Sequence, residues 1–176
     1  MIGVDFLAIK KNINHLKLPK KRFEFRGEIH ERNIYDDYAH HPNEIKETIK
    51  LGRLFIEQKN NNNLQKGRLI AIFQPHRYSR AKQFTKEFAE ELSKADVIYI
   101  TSIYAAGEEN IDKITSKNIT DLIYKQNKNV SYINNYHEIT KNFYELTQKG
   151  DLILNMGAGD CHNFWPILNG KNNFNT

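Results

Sequence analysis

Two arginines stand three residues apart in the segment 74–80, which reads QPHRYSR. One helical turn would place the guanidinium groups of Arg77 and Arg80 on the same side. Two such groups suit a carboxylate or a phosphate, because each can hold an anion through two hydrogen bonds. Two arginines at the start of a helix also oppose the helix dipole unless an anion compensates them. The segment therefore favours an anion-binding site over a solvated helix start with surface salt bridges.

A second polar segment, residues 36–42, reads DDYAHHP and lies between a predicted strand and a predicted helix. Carboxylates at a strand end can hold ribose hydroxyls or a metal, and the start of a helix favours anions. A capped turn with histidines in solvent fits the same residues equally well. The adjacent His40 and His41 do not predict zinc, because neighbouring side chains point apart and no further ligand spacing accompanies them. We predict no metal site.

Two other segments, YAAGE at 104–108 and GAGD at 157–160, are compatible with a ligand site or with simple tight turns. His40, His76 and His162 can each titrate near neutral pH, but a single histidine does not identify a catalytic base. Cys161 fits a buried small residue better than a nucleophile. These residues by themselves do not settle whether the chain takes part in acid–base or nucleophilic catalysis.

The predicted elements that must position these segments alternate between short apolar strands and amphipathic helices. Strands are predicted at 23–29, 33–38, 69–73, 97–100, 130–133 and 151–154. Helices are predicted at 4–16, from Pro42 onward, and at 79–94, 116–125 and 136–148. This order predicts an α/β fold, a Rossmann-like three-layer sandwich with a mostly parallel sheet and an antiparallel strand pair near the N-terminus. The polar segments follow strand ends, where such sheets bind ligands.

Composition limits the classes of protein. The 176 residues, 39% of them hydrophobic, predict one domain over 1–176, with a helical lead-in at 1–20 and a disordered tail at 171–176. The net charge of +5 comes from basic residues interleaved with 21 acids, so we expect no nucleic-acid partner. The sequence has no apolar run of about 18 residues and no signal-peptide pattern, so we expect no membrane partner and a cytoplasmic location.

Read together, the motifs resemble those of one known family. They are KRF at 21–23, DDYAHHPNEI at 36–45, FQPHRYSR at 73–80, IYAAGE at 103–108 and GAGD at 157–160. In this order, and with the match covering about 3–168, they resemble the C-terminal domain of the Mur ligases. The resemblance is greatest to the branch that joins L-alanine to UDP-N-acetylmuramate. A related branch that recycles murein peptides typically carries a segment like EPRSNT where this chain has QPHRYS.

The resemblance implies a role in bacterial peptidoglycan precursor synthesis, within a three-domain ligase that forms an amide by ATP-dependent acyl-phosphate chemistry. ATP and Mg²⁺ would be held mostly by a central domain, since this sequence lacks the G-x-x-x-x-G-K-[ST] motif that cradles nucleotide phosphates. We therefore expect the chain alone to bind neither, to contain no catalytic residue and to be inactive. Its substrates within the whole enzyme would be L-alanine and UDP-N-acetylmuramate.

Residue roles also follow from the resemblance, position by position. Arg22 would reach the nucleotide phosphates, and Asp37 the ribose or adjacent nucleotide groups. Arg77 and Arg80 would clamp the carboxylate of alanine. The side chains that would line the amino-acid side of the cleft are His76, Tyr38 and His40. Lys21 departs from the family, which usually has a second arginine there. The alternatives are the murein tripeptide recycling ligase of the same family and a non-catalytic stand-alone binding module.

Overall fold

The structure is a computed structural model, and it describes residues 21–61 and 66–170. The helix predicted at 4–16 and the tail predicted at 171–176 lie outside the described residues. The strands are β1 (Glu24–Ile29), β2 (Arg32–Asp37), β3 (Leu69–Phe73), β4 (Val97–Ile100), β5 (Val130–Tyr132) and β6 (Leu152–Met156). The helices are α1 (Pro42–Asn61), α2 (Tyr78–Gln83), α3 (Thr85–Leu92), α4 (Ser116–Gln126), α5 (Tyr136–Lys141), α6 (Phe143–Leu146) and α7 (Phe164–Leu168), with a 3₁₀ helix at Asp160–Asn163 before α7.

The strands form one six-stranded sheet in the order β1-β2-β6-β3-β4-β5. Only β1 and β2 pair antiparallel, and all other neighbouring strands are parallel. The predicted α/β class and the antiparallel pair near the N-terminus are thus confirmed. The hairpin turns through His30 and Glu31, whose φ angles of 45° and 63° lie in the left-handed region. Such angles at both central residues match the right-handed twist of the paired strands.

Helices cover both faces of the sheet, which gives the predicted three layers. On one face α1, α2, α3 and α4 pack against β3 residues Leu69, Ala71 and Phe73. On the other face α5, α6 and α7 pack against Ile70 and Ile72 of the same strand. All five β3 residues are buried because side chains of a central strand alternate between two covered faces.

Two predicted helices are each broken by one residue. The helix predicted at 79–94 divides into α2 and α3 at Phe84, where φ is −112° and ψ is 20°. The Phe84 ring packs against His41, with ring centroids 4.8 Å apart, and the Thr85 hydroxyl donates to the carbonyl of Ala81. The helix predicted at 136–148 divides at Asn142 in the same way. The short helix α7 was not predicted from the sequence.

The parallel strands bring the predicted polar segments to one edge. Asp37 ends β2, Phe73 ends β3 and Met156 ends β6, and the register pairs Asp37 with Met156 and Met156 with Phe73. The segments that follow these strands therefore leave the sheet side by side, at its carboxyl edge. Among the described residues, no helix is long and apolar enough to cross a membrane.

Candidate functional site at the carboxyl edge of the sheet

The loops after β3 and β4 hold each other in place. The backbone N–H of Arg77 donates to the Tyr104 carbonyl at 2.8 Å, and the N–H of Tyr104 donates to the Pro75 carbonyl at 2.8 Å. Arg77 adopts a left-handed backbone, with φ 69° and ψ 137°. Helix α2 begins at the next residue, so Arg77 lies just before the helix and does not share its backbone conformation.

The two arginines have different neighbours. The Arg80 guanidinium lies 3.3 Å from Nδ1 of His76. The Arg77 guanidinium lies 3.6 Å from a carboxylate oxygen of Glu108, and its side chain is 50% exposed. Burial, and then the charges of Arg80 and His40, lower the pKa of His76. A neutral His76 beside a guanidinium leaves the positive charge of Arg80 available to an anion.

Glu108 was not singled out from the sequence as an individual residue. Its carboxylate accepts hydrogen bonds from the Ser79 hydroxyl at 2.7 Å and from the Ser79 N–H at 3.0 Å. It therefore fixes the first turn of α2 as well as standing beside Arg77. Ser79 and Glu108 are 29 positions apart in the chain, which explains why sequence spacing did not reveal this contact.

The segment after β2 brings His40 next to His76, and Tyr38 next to His40. Nδ1 of His40 lies 2.8 Å from the carbonyl oxygen of Tyr38. The Tyr38 and His40 rings are 5.0 Å apart edge to face, and the His40 and His76 rings are 6.0 Å apart. The three residues predicted to line one side of the cleft are thus adjacent, on loops from two neighbouring regions of the sheet edge.

Asp37 is a buried carboxylate with a fixed position. One of its oxygens accepts from the N–H of Phe23 and the other from the N–H of Ala39, each at 2.8 Å. Burial raises the pKa of Asp37, although these hydrogen bonds oppose the shift. Each carboxylate oxygen can accept more than one hydrogen bond, so Asp37 keeps the capacity to bind a ligand hydroxyl.

A cavity of about 430 Å³ lies beside Asp37. It combines the guanidinium of Arg22, carboxylates and an apolar wall. The lining residues are Arg22, Phe23, Asp37, Asn43, Glu44, Glu47, Thr48 and Leu51. A larger cavity of about 610 Å³ opens near the ends of β4 and β5, but none of the predicted site residues lines it. The charged groups that line the smaller cavity are one guanidinium, that of Arg22, and the carboxyl groups of Asp37, Glu44 and Glu47.

Glu44 contacts both Arg22 and the segment after β2, and the sequence did not indicate it as a ligand-binding residue. One carboxylate oxygen lies 3.3 Å from both terminal nitrogens of Arg22. The other accepts from the N–H of His40 at 3.0 Å and the N–H of His41 at 3.2 Å. Burial opposes a charge on Glu44, but the hydrogen bonds from His40 and His41 and the charge of Arg22 outweigh it and lower the pKa of Glu44.

The Asp36 side chain has other surroundings than that of Asp37, because successive side chains of a strand point to opposite faces of the sheet. Its carboxylate is buried, accepts from Nδ2 of Asn155 at 2.8 Å and lies 3.4 Å from the guanidinium of Arg26. Burial raises the pKa of Asp36 to about 6, and the Asn155 hydrogen bond and Arg26 only partly offset this. Asp36 does not line the cavity beside Asp37.

The GAGD turn packs closely against the loop after β3. A side-chain carbon on Gly159 would lie 2.6 Å from both the Gln74 side-chain oxygen and the Tyr104 ring. Glycine at this position therefore permits three loops to meet. Among the described residues, no group of three or more His, Cys, Asp or Glu side chains is arranged to hold a metal ion.

The chain is similar to known proteins over most of its length. The model of the Mur ligase, glutamate ligase domain matches residues 21–159. A UDP-N-acetylmuramate–L-alanine ligase of Prochlorococcus marinus subsp. pastoris is 65% identical over an alignment of 176 positions, which covers 99% of this chain and 37% of that protein. This chain thus spans little more than a third of the relative's length.

Two solved structures share the fold. The UDP-N-acetylmuramate-alanine ligase of Thermotoga maritima has a TM-score of 0.64 at 24% identity and covers 86% of this chain and 29% of its own. The MurF ligase of the same organism, solved in complex with ADP, has a TM-score of 0.56 at 18% identity and covers 94% of this chain and 37% of its own. At these identities the likeness establishes the fold alone.

Proposed function

Because this chain belongs to the Mur ligase family, we propose that it is the C-terminal domain of a UDP-N-acetylmuramate–L-alanine ligase. In this role it delivers the amino acid and closes over the nucleotide during ATP-dependent amide formation. The observation that carries the proposal is the meeting of Arg80, His76, His40 and Tyr38 at the sheet edge, next to the cavity that contains Arg22 and Asp37. We propose the whole chain as one such domain of a bacterial cytoplasmic enzyme.

The amino-acid side is assigned to the two arginines. The Arg77 side chain is half exposed, and its ion pair with Glu108 is long, at 3.6 Å. An incoming carboxylate can therefore displace Glu108 from this weak contact. Arg80 lies beside His76, whose pKa is lowered by burial and by the arginine charges. The histidine therefore does not compete with Arg80 for the carboxylate as a second cation. Together the guanidinium groups would bind the carboxylate of L-alanine and direct its amine toward the activated carboxyl group.

The nucleotide side is assigned to the cavity beside Asp37. Arg22 would contact phosphate oxygens, since its side chain is 41% exposed and reachable from outside the chain. Asp37, held by two backbone N–H groups, would accept a hydrogen bond from a ribose hydroxyl. ATP supplies the phosphoryl group that activates the muramyl carboxylate, and we assign Mg²⁺ to other parts of the enzyme.

The catalytic contribution of this domain would be orientation. An amine held in line with an activated carboxyl group reacts without the entropy cost of meeting it in solution, an effect of about 7 to 11 kcal/mol in well-oriented systems. The carboxylate clamp and the neighbouring rings of Tyr38, His40 and His76 would fix that approach. UDP-N-acetylmuramate would be bound mainly by other parts of the ligase.

The test grafts this chain into the Prochlorococcus relative in place of the matching segment. The graft should join L-alanine to UDP-N-acetylmuramate with release of phosphate, and it should not use a murein tripeptide as the amine donor. Arg77→Ala should raise the KM for L-alanine at least about tenfold, because a charge-assisted contact is lost. The matched change Lys86→Ala removes an exposed cation of α3 and should have no effect.

Two results would contradict the proposal. A graft that folds but ligates only the tripeptide would transfer the assignment to the recycling branch. An unchanged KM for L-alanine in the Arg77→Ala graft would contradict the assignment of Arg77 to the carboxylate clamp. ADP binding by the wild-type graft, measured by calorimetry, separates a failure of folding from a failure of chemistry.

A further inference from the structure

Glu44 stands where the two assigned halves of the site meet. One carboxylate oxygen faces Arg22, with both guanidinium nitrogens at 3.3 Å. The other oxygen accepts from the backbone of His40 and lies 3.3 Å from Nδ1 of the same imidazole. A single side chain thus contacts the cation assigned to the nucleotide and the ring assigned to the amino acid.

We propose that Glu44 is a positioning residue that couples nucleotide binding to amino-acid binding by holding Arg22 and His40 at once. The coupling rests on the proposed ligase function, whereas the contacts themselves do not. When a phosphate draws Arg22 away, the Glu44 carboxylate stays in place and keeps only its contacts with His40, so its charge then acts on the imidazole alone.

The helix makes Glu44 the fixed member of this group. It is the third residue of α1, a helix of 20 residues whose Ile45 and Ile49 are buried in the core. A glutamate at this position accepts the N–H groups before the helix and is favoured by the helix dipole. Arg22 is more exposed, 41% against 31% for Glu44, so the mobile partner is the arginine.

Helix capping alone explains only part of the arrangement. Capping requires the contacts to the N–H groups of His40 and His41, and these involve one oxygen. The second oxygen and the contact to the His40 ring contribute nothing to the cap. Glutamine serves in a capping box as glutamate does, but it has no charge to hold Arg22. Glu44→Gln therefore separates the two roles.

The same grafted ligase tests the coupling. Glu44→Gln should lower kcat/KM about tenfold for both ATP and L-alanine, with little change in the thermal midpoint, because the cap remains. Arg22→Ala should mainly affect ATP, and adding Glu44→Gln to it should cost less than the two changes predict separately. Glu57→Gln, at an exposed position of the same helix, is the matched control and should leave kcat/KM for both substrates unchanged.

Several outcomes would overturn the coupling. They are unchanged kinetics in Glu44→Gln, an effect on one substrate only, or additive losses with Arg22→Ala. A midpoint that falls as far in Glu44→Gln as in Glu44→Ala would make the residue a structural cap. An inactive wild-type graft would instead contradict the proposed function, so the two failures are distinguishable.

Discussion

The His76 imidazole is stacked on the Tyr104 ring, with centroids 5.6 Å apart and planes inclined by 13°. His76 follows β3 and Tyr104 follows β4, so the stack joins two loops whose backbones also pair through a bridge between the same residues. His76 also contacts the His40 ring, with centroids 6.0 Å apart. The stack sets the geometry of the histidine that stands beside Arg80.

Removing this stack should loosen the amino-acid side. Tyr104→Ala should lower the free energy of unfolding by about 1 kcal/mol, since an aromatic pair is lost, and should raise the KM for L-alanine in the grafted ligase. Tyr104→Phe preserves the ring and should behave like the wild type in both chemical denaturation and kinetics. Equal losses in the two variants would assign the effect to the phenol hydroxyl instead.

The buried Asp36 predicts a specific dependence of stability on pH. Its pKa of about 6 in the folded protein lies above its ordinary value of 3.8, so the folded state binds the proton more tightly. The stabilisation from the protonated form is complete below about pH 4 and is lost as pH rises through 6, by roughly 3 kcal/mol.

Asp36→Asn removes this titration. The variant should gain stability relative to the wild type as pH rises from 4 to 7, measured as the difference in unfolding free energy at each pH. Arg26→Gln removes a neighbouring cation that lowers the pKa of Asp36. In that variant the pH-dependent loss of unfolding free energy should therefore occur at a higher pH. A difference that does not vary with pH would show that Asp36 does not titrate in this window.

Asp151 is a buried anchor between β3 and β6. Its carboxylate is fully buried and accepts from the N–H groups of Arg68 and Gln148 and from the Arg68 guanidinium, at 2.7 to 3.2 Å. Asp151→Asn places an amide group among these donors and should cost about 3 kcal/mol in unfolding free energy. Asp121→Asn, which weakens an exposed pair with Lys117 at 3.7 Å, should cost less than about 0.5 kcal/mol. Similar losses in both would contradict the role of burial.

Local patterns predicted most elements of this fold. The run at 69–73 was confirmed as β3 without adjustment, and Pro42 begins α1 as predicted. The break at Phe84 was missed because Phe84, Phe88 and Leu92 keep helical spacing across a one-residue interruption. At the interruption Phe84 contacts His41, which lies 43 positions earlier in the chain, so local spacing could not indicate it. The turn at His30 and Glu31 also lacks the glycine or asparagine usual for its backbone angles.

The candidate site shows the same limit. Motifs identified residues at strand ends, and the parallel sheet explains why those residues meet at one edge. Their partners were not predictable, because Glu44 meets Arg22 and Glu108 meets Ser79 only after the strands pair. The expectation that Arg77 and Arg80 share one side assumed a regular helix from Arg77 onward. The left-handed backbone at Arg77 invalidates that assumption, and the roles of both residues stay predictions.

Arg77 occupies a backbone conformation that glycine adopts without penalty. An arginine held at φ 69° sacrifices about 1 to 3 kcal/mol of folding free energy. A glycine there would give a sturdier domain with no guanidinium at the sheet edge. Selection of variants for heat resistance alone would therefore favour glycine at position 77 and would remove the guanidinium to which we assign the substrate carboxylate.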